Sequence, residues 1–154
     1  MTLIGAIIAA LIGAIAAISV FVADILIRKH SDRRNLLLKI HEEMTEIENQ
    51  RGRRILIKLL EENKHTRRLE EKDREMVNKS LSLIDIMGYY CRKGYIEESE
   101  VLTLWGASFQ RILPKAEEFA RQMDAEKGEV TWRYGRDLLN KANGMKFSAE
   151  IRKE

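Results

Sequence analysis

The stretch VNKSLSLIDIMGYYCRKGYIEESEV, residues 77–101, decides the fold because it joins a strongly patterned helix to a helix stop and a new helix start. Its apolar residues recur every three or four positions and form a stripe broad enough to be packed on both sides. With the residue before it, the stripe consists of Met76, Val77, Leu81, Leu83, Ile84, Met87, Tyr90 and Cys91. The pattern predicts an all-α protein with this helix at its centre.

The end of this stretch carries the signals of a helix boundary. Arg92 and Lys93 suit the carboxyl end of a helix dipole, and Gly94 suits the left-handed position that follows. Glu97 and Glu98 place negative charge where the next helix begins. We therefore expect a turn between residues 93 and 97.

Further helices are predicted on both sides of the stretch. On the carboxyl side, a helix with Trp105 inward leads to Pro114, which we expect to start or kink the next helix. Gly128 then separates a last helix that stops near residue 144. On the amino side, residues 55–60 form a short helix after an interruption at Gly52, and the polar segment ENKHTRR connects it to the central helix.

The first segment predicts a membrane span. Leu3 to Ala23 is a run of 21 residues without a charge, and its helical length of about 32 Å matches a hydrocarbon core of about 30 Å. A secretory signal peptide is the main alternative, but a basic region before the run is missing. Residues 1–27 carry one charged side chain, Asp24, whereas the other 127 residues have a net charge of +4.

The residues that follow the span predict its orientation. Positively charged residues directly follow the span, and such residues are usually retained on the cytoplasmic side of a membrane. We therefore expect the amino terminus outside the cell (inner) membrane and the rest of the chain in the cytoplasm. The same side chains are expected to bind anionic lipid headgroups. They are Arg28, Lys29, Arg33 and Arg34.

These patterns divide the chain into four parts. Residues 1–27 are the transmembrane anchor, 28–50 a juxtamembrane helix, 51–144 a small helical bundle, and 145–154 a frayed tail. Whether the spanning helix continues unbroken into the juxtamembrane helix stays open.

A face of small residues runs along the predicted span. Gly5, Ala9, Gly13 and Ala17 recur every fourth position, and such residues let two membrane helices approach closely. Glycine and alanine are also common in membrane helices in general. The spacing favours pairing of the span with another copy or with the span of another membrane protein.

Four features of the sequence together carry a resemblance. They are the patterned helix, the turn at residues 92–97, the tryptophan helix and the segment LPKAEEFARQ. Roughly residues 76–122 and the amino-terminal anchor resemble an uncharacterised bacterial family of small single-span membrane proteins. The resemblance implies a cytoplasmic helical domain of unknown function. It implies no activity, because a fold alone does not specify one.

No catalytic pattern stands out in the sequence. The three histidines lack partners at metal-binding spacing, and there is no phosphate-binding loop or nucleophile elbow. Cys91, the single cysteine, lies on the apolar stripe and is expected to be an unreactive buried thiol. We expect no enzyme activity, no metal site and no cofactor.

Two features bear on partners. WRYGR combines residue types that dominate protein–protein hot spots, so Trp132, Arg133, Tyr134 and Arg136 are candidate partner contacts, with packing against the bundle as the alternative.

Basic clusters at residues 51–54 and 64–68 raise nucleic acid as a partner. Acidic runs lie next to them and no aromatic residue is interleaved, so the pattern does not favour nucleic acid.

The sequence therefore predicts a membrane-anchored helical interaction or assembly module, an accessory or scaffold subunit that acts through its span and its cytoplasmic bundle. The alternative is a membrane-tethered effector or enzyme whose site is assembled from residues far apart in the chain.

Overall fold

The computed structural model describes residues 30–146, and contacts divide the chain after Leu38 into two compact units. In the first unit, the described residues 30–38 are helical. In the second unit, the described residues 39–146 form helices and turns without any strand. The predicted all-α class is confirmed for the part of the chain that the structure describes.

Five α-helices and one short 3-10 helix make up residues 30–146. Helix α1 is described over residues 30–45, and the 3-10 helix, Thr66–Arg68, lies between α2 and α3. The remaining helices are α2 (Ile47–Glu61), α3 (Glu71–Arg92), α4 (Glu98–Lys127) and α5 (Arg133–Asn143). Both α3 and α4 pack against α2 and against α5, so these four helices form a closed bundle.

The core of the second unit lies between these helices. Its fully buried residues come from every helix, which agrees with the predicted bundle and with the central position of α3. The largest of them are Phe109, Phe119, Met44, Leu56, Ile84, Met87, Ile112 and Leu138. Leu81 and Trp105, which the sequence places in the core, are also buried.

The predicted interruption at Gly52 is wrong. Helix α2 begins at Ile47 and runs through Gly52, while the bend falls at Glu46. Gly52 is buried where α2 crosses α3, and a Cβ atom there would collide with the backbone of Met76. The glycine therefore marks a close helix contact rather than a helix end.

The predicted start of a new helix at Pro114 is also wrong, and the kink that the sequence offered as the alternative stays a prediction. Helix α4 is continuous over its 30 residues, with Pro114 in its interior. An interior proline removes a hydrogen bond and costs about 3 kcal/mol. Buried residues on both sides of it, Ile112 and Ala116 among them, hold the two halves of α4 in one bundle and offset that cost.

The predicted turn after the central helix is confirmed. Helix α3 ends at Arg92, and Gly94 has a left-handed backbone with φ of +69°. The amide of Tyr95 donates to the carbonyl oxygen of Tyr90 at 3.0 Å and closes the turn. This bond brings Tyr95 back towards the end of α3.

The predicted membrane segment falls outside the described residues. No helix within residues 30–146 has the length and apolar character needed to cross a membrane. The span at residues 3–23, its small-residue face, Arg28 and Lys29 all precede residue 30, while Arg33 and Arg34 lie in α1. The span and its lipid contacts therefore stay predictions.

Candidate interaction surface

The crossing of α3 and α5 depends on two glycines. A Cβ atom on Gly88 would collide with the carbonyl oxygen of Tyr134, and one on Gly135 would lie 2.9 Å from the backbone nitrogen of Asp85. The amide of Gly135 donates to the Asp85 carboxylate at 2.8 Å. The two backbones therefore approach as closely as they do because neither glycine has a side chain.

This crossing brings together all four tyrosines of the chain. The ring centroids of Tyr89 and Tyr134 lie 5.4 Å apart in an edge-to-face pair. Tyr90 follows at 6.1 Å from Tyr89, and Tyr95 at 5.9 Å from Tyr90. We call these four rings the tyrosine surface.

Three of the four rings of the tyrosine surface are exposed to solvent, and Tyr90 is half-buried. The exposed fractions are 36% for Tyr89, 38% for Tyr134 and 50% for Tyr95. Ile86, one turn before Tyr89 and Tyr90 on α3, is also exposed. Aromatic side chains that were needed only for the core would be buried, so these rings are available for contact with another molecule.

Cations lie next to the tyrosine surface, and the carboxylates of the cleft beside Tyr134 are paired with Lys141. The Lys93 Nζ atom lies 5.7 Å from the centre of the Tyr89 ring, in a cation–π contact. Arg92 and Arg133, adjacent in sequence to Lys93 and Tyr134, are exposed as well. Within residues 30–146, none of these three cations has a carboxylate at ion-pair distance.

The four candidate contact residues of WRYGR separate into two pairs. Trp132 is half-buried, stacks on Phe119 with centroids 5.7 Å apart, and donates from Nε1 to the Ser82 hydroxyl at 3.1 Å. Arg136 is likewise half-buried. Arg133 and Tyr134 are exposed. The first pair packs against the bundle, and the second pair is placed where a partner can reach it.

Asp124 fixes the connection that leads into α5. Its carboxylate accepts hydrogen bonds from the amide and the hydroxyl of Thr131, both at 2.7 Å, and from Arg136 at 2.7 Å. Burial acts to raise the pKa of Asp124, but these hydrogen bonds and the Arg136 charge outweigh it and lower the pKa. The ionised carboxylate thus holds α5 in position.

A small polar cleft of about 210 Å³ adjoins Tyr134. Cys91 lines it and is half-buried. Burial, with a smaller contribution from Glu98, raises the pKa of the thiol to about 11. At neutral pH the thiol is therefore protonated and a poor nucleophile, although the full burial that the sequence predicts is wrong. No group of three His, Cys, Asp or Glu residues between residues 30 and 146 could hold a metal ion.

Sequence reasoning missed most of the tyrosine surface. It placed Tyr90 on the apolar stripe and gave no role to Tyr89 or Tyr95. The segment YYCRKGY did carry a signal, because its aromatic residues flank two basic ones around a helix end. Its link to Tyr134 could not be seen, since the two segments lie about 40 residues apart.

Comparisons with known proteins give no family for the chain, and the bacterial family that its motifs resemble stays a prediction. No family model, no curated protein and no solved structure matches it.

Proposed function

We propose that this protein is a membrane-anchored helical docking module whose tyrosine surface binds an acidic segment of a partner protein. The observation that carries the proposal is the cluster of Tyr89, Tyr90, Tyr95 and Tyr134, three of them exposed, at a close helix crossing. In this role the protein is an accessory or scaffold subunit of a membrane assembly.

The chemistry of tyrosine supports a protein partner. Tyrosine is enriched at binding hot spots, because its ring buries much apolar area and its hydroxyl still forms a hydrogen bond. It has few rotatable bonds, so little conformational entropy is lost on binding. Here the edge-to-face contact of Tyr89 with Tyr134 also restrains both rings before a partner arrives.

The charge of the surface supports an acidic partner segment. Lys93 sits over the Tyr89 ring, and Arg92 and Arg133 lie beside the cluster. Carboxylates on the partner would face these cations, and complementary charge speeds association and selects the partner.

The membrane part of the proposal rests on the sequence. Residues 3–23 have the length and composition of a single span, and the basic residues after it favour a cytoplasmic bundle. The small-residue face of the span supports lateral assembly with another copy or another membrane protein. A tethered bundle would meet partners confined to the same membrane at raised local concentration.

Site-specific photocrosslinking in living cells tests the proposal. A photoreactive phenylalanine derivative is placed at Tyr95 or Tyr134, and at the exposed Leu104 on α4 as a matched control. We expect one discrete protein adduct from both tyrosine positions and none from Leu104. The crosslinked peptide should be acidic, and Lys93→Glu should remove the adduct.

Three outcomes would contradict the proposal. They are equal adducts from Leu104 and the tyrosine positions, absence of any protein adduct from the tyrosine positions, and crosslinking to nucleic acid in place of protein.

A further inference from the structure

A second cleft, of about 690 Å³, lies between the 3-10 helix and α4. Its lining combines the basic segment at residues 64–68 with one turn of α4 about 50 residues later. We call it the arginine cleft, and the residues that line it are His65, Thr66, Arg67, Arg68, Glu118, Arg121 and Gln122. Its volume falls within the range of small-molecule sites.

The walls of the arginine cleft are fixed by hydrogen bonds within the protein. Thr66 is buried, and its amide donates to the Glu118 Oε1 atom at 2.9 Å. Its hydroxyl lies 3.3 Å from the Gln122 Oε1 atom and 3.4 Å from Glu118. The 3-10 helix is therefore held on α4 without help from a ligand, and the side chains beside Thr66 start from a fixed backbone.

The one carboxylate of the arginine cleft is already occupied. The buried Lys115 donates to Glu118 Oε2 at 2.7 Å, and the His65 Nδ1 atom lies 3.1 Å from Oε1. Burial acts to raise the pKa of Glu118, but these partners and the Thr66 amide lower it to about 2. The negative charge of Glu118 is thus balanced by Lys115 and leaves the arginines uncompensated.

Three guanidinium groups supply the excess charge. No carboxylate between residues 30 and 146 lies at ion-pair distance from Arg67 or Arg68. Arg121 donates from Nε to the backbone carbonyl of Glu117 at 3.4 Å, which leaves its terminal nitrogens for other acceptors. Arg67 interacts with Glu126 electrostatically, but the ion pair of Glu126 is with Arg74.

We infer that the arginine cleft binds a ligand that carries two or more phosphate charges, either a free phosphate compound or the headgroup of an anionic lipid. Guanidinium groups bind phosphate oxygens through paired, charge-assisted hydrogen bonds, and a cluster of three suits a multiply charged anion. None of the lining residues is Phe, Tyr or Trp, so the cleft lacks the rings on which nucleic-acid bases stack.

The arginine cleft is separate from the tyrosine surface. The cleft is built on the 3-10 helix and α4, and the surface on α3, its following turn and α5. A substitution in one can therefore be scored without altering the other.

Calorimetric titration of the full-length protein in a neutral detergent tests the inference. One arm uses inorganic pyrophosphate, and the other uses dihexanoyl-phosphatidic acid, whose phosphomonoester can carry two charges, with dihexanoyl-phosphatidylcholine as the zwitterionic control. We expect saturable binding in at least one arm, and the tighter arm identifies the source of the phosphate. Arg68→Gln and Arg121→Gln should each weaken that binding about tenfold or more, because each removes hydrogen bonds to a charged group.

Arg51→Gln is the matched control, because it removes an exposed arginine of α2 outside the arginine cleft. It should change the affinity less than about twofold, since the charge lies outside the arginine cleft and is screened by salt. Absence of saturable binding in both arms would overturn the inference. So would an equal loss of affinity in Arg51→Gln, which would mean that net charge alone attracts the anion.

Discussion

Gly88 of α3 and Gly135 of α5 each occupy a position where the backbone of the other helix excludes a Cβ atom. The chain neighbours of these two glycines are Tyr89 and Tyr134, whose rings form the edge-to-face pair of the tyrosine surface. One close helix contact therefore serves two purposes. It joins α5 to the bundle, and it brings two distant tyrosines together on the outside.

Alanine at either glycine should destabilise the bundle. Gly88→Ala and Gly135→Ala each force the helices apart, and such overpacking costs about 1–3 kcal/mol. Urea unfolding of the full-length protein, followed by tryptophan fluorescence, measures this, because Trp105 and Trp132 both lie in the bundle. Gly144→Ala is the control, since a Cβ atom there has its nearest contact at 3.6 Å. Equal stability of all three variants would mean that the crossing tolerates a methyl group.

Truncation of Leu81 should show that α3 is the central helix. Leu81 is buried, so Leu81→Ala should lower the free energy of unfolding by about 2–5 kcal/mol through lost burial and a cavity. Leu104→Ala should change it by less than about 0.5 kcal/mol, because Leu104 is 53% exposed. The same fluorescence titration compares them, and a small effect at Leu81 would place the core elsewhere.

Acid should weaken the contact between Glu118 and the 3-10 helix. The pKa of Glu118 is lowered from 4.5 to about 2 in the folded protein. Its stabilisation is therefore complete above about pH 5 and is lost as the pH falls towards 2, with a limit of about 3 kcal/mol.

Glu118→Gln should remove this part of the pH dependence. The difference in unfolding free energy between wild type and Glu118→Gln should shrink between pH 5 and pH 2. Glu129→Gln, at an exposed carboxylate outside the arginine cleft, serves as the comparison. A pH-independent difference for Glu118→Gln would show that the carboxylate charge does not hold the 3-10 helix.

The thiol of Cys91 should react slowly in the folded protein. Burial raises its pKa from 9.0 to about 11, so at pH 8 the folded state holds about a hundredfold less thiolate than the unfolded chain. Iodoacetamide labelling followed by mass spectrometry measures the rate without ambiguity, because the chain has one cysteine. Equal rates with and without denaturant would contradict the raised pKa.

The apolar periodicity was sufficient to predict α3, the tryptophan helix and the buried positions of Val77 and Ile84, because burial imposes a helical repeat on the sequence. Helix boundaries were wrongly predicted at Gly52 and Pro114, because these residues disfavour helix only through local effects on the backbone. Packing of residues far apart in the chain decided both positions.

The candidate sites were harder to predict for a related reason. The broad stripe on α3 did not reveal that Tyr89 faces solvent or that Tyr90 sits at the edge of the core. Arg68 and Arg121 share a cleft only because Thr66 binds Glu118 across more than 50 positions of chain. Local pattern carries no information about such pairings.

Because the tyrosine surface is divided between α3 and α5, its affinity for a partner depends on the equilibrium between attached and detached α5. Helix α5 contributes Tyr134 and has 11 residues, too few to be stable as a helix in isolation. Whenever α5 detaches, the edge-to-face pair is lost, and only the attached fraction of molecules binds competently. The measured dissociation constant is the intrinsic one divided by that fraction. Substitutions such as Asp124→Asn, which loosen the connection to α5, would therefore weaken binding without touching the partner.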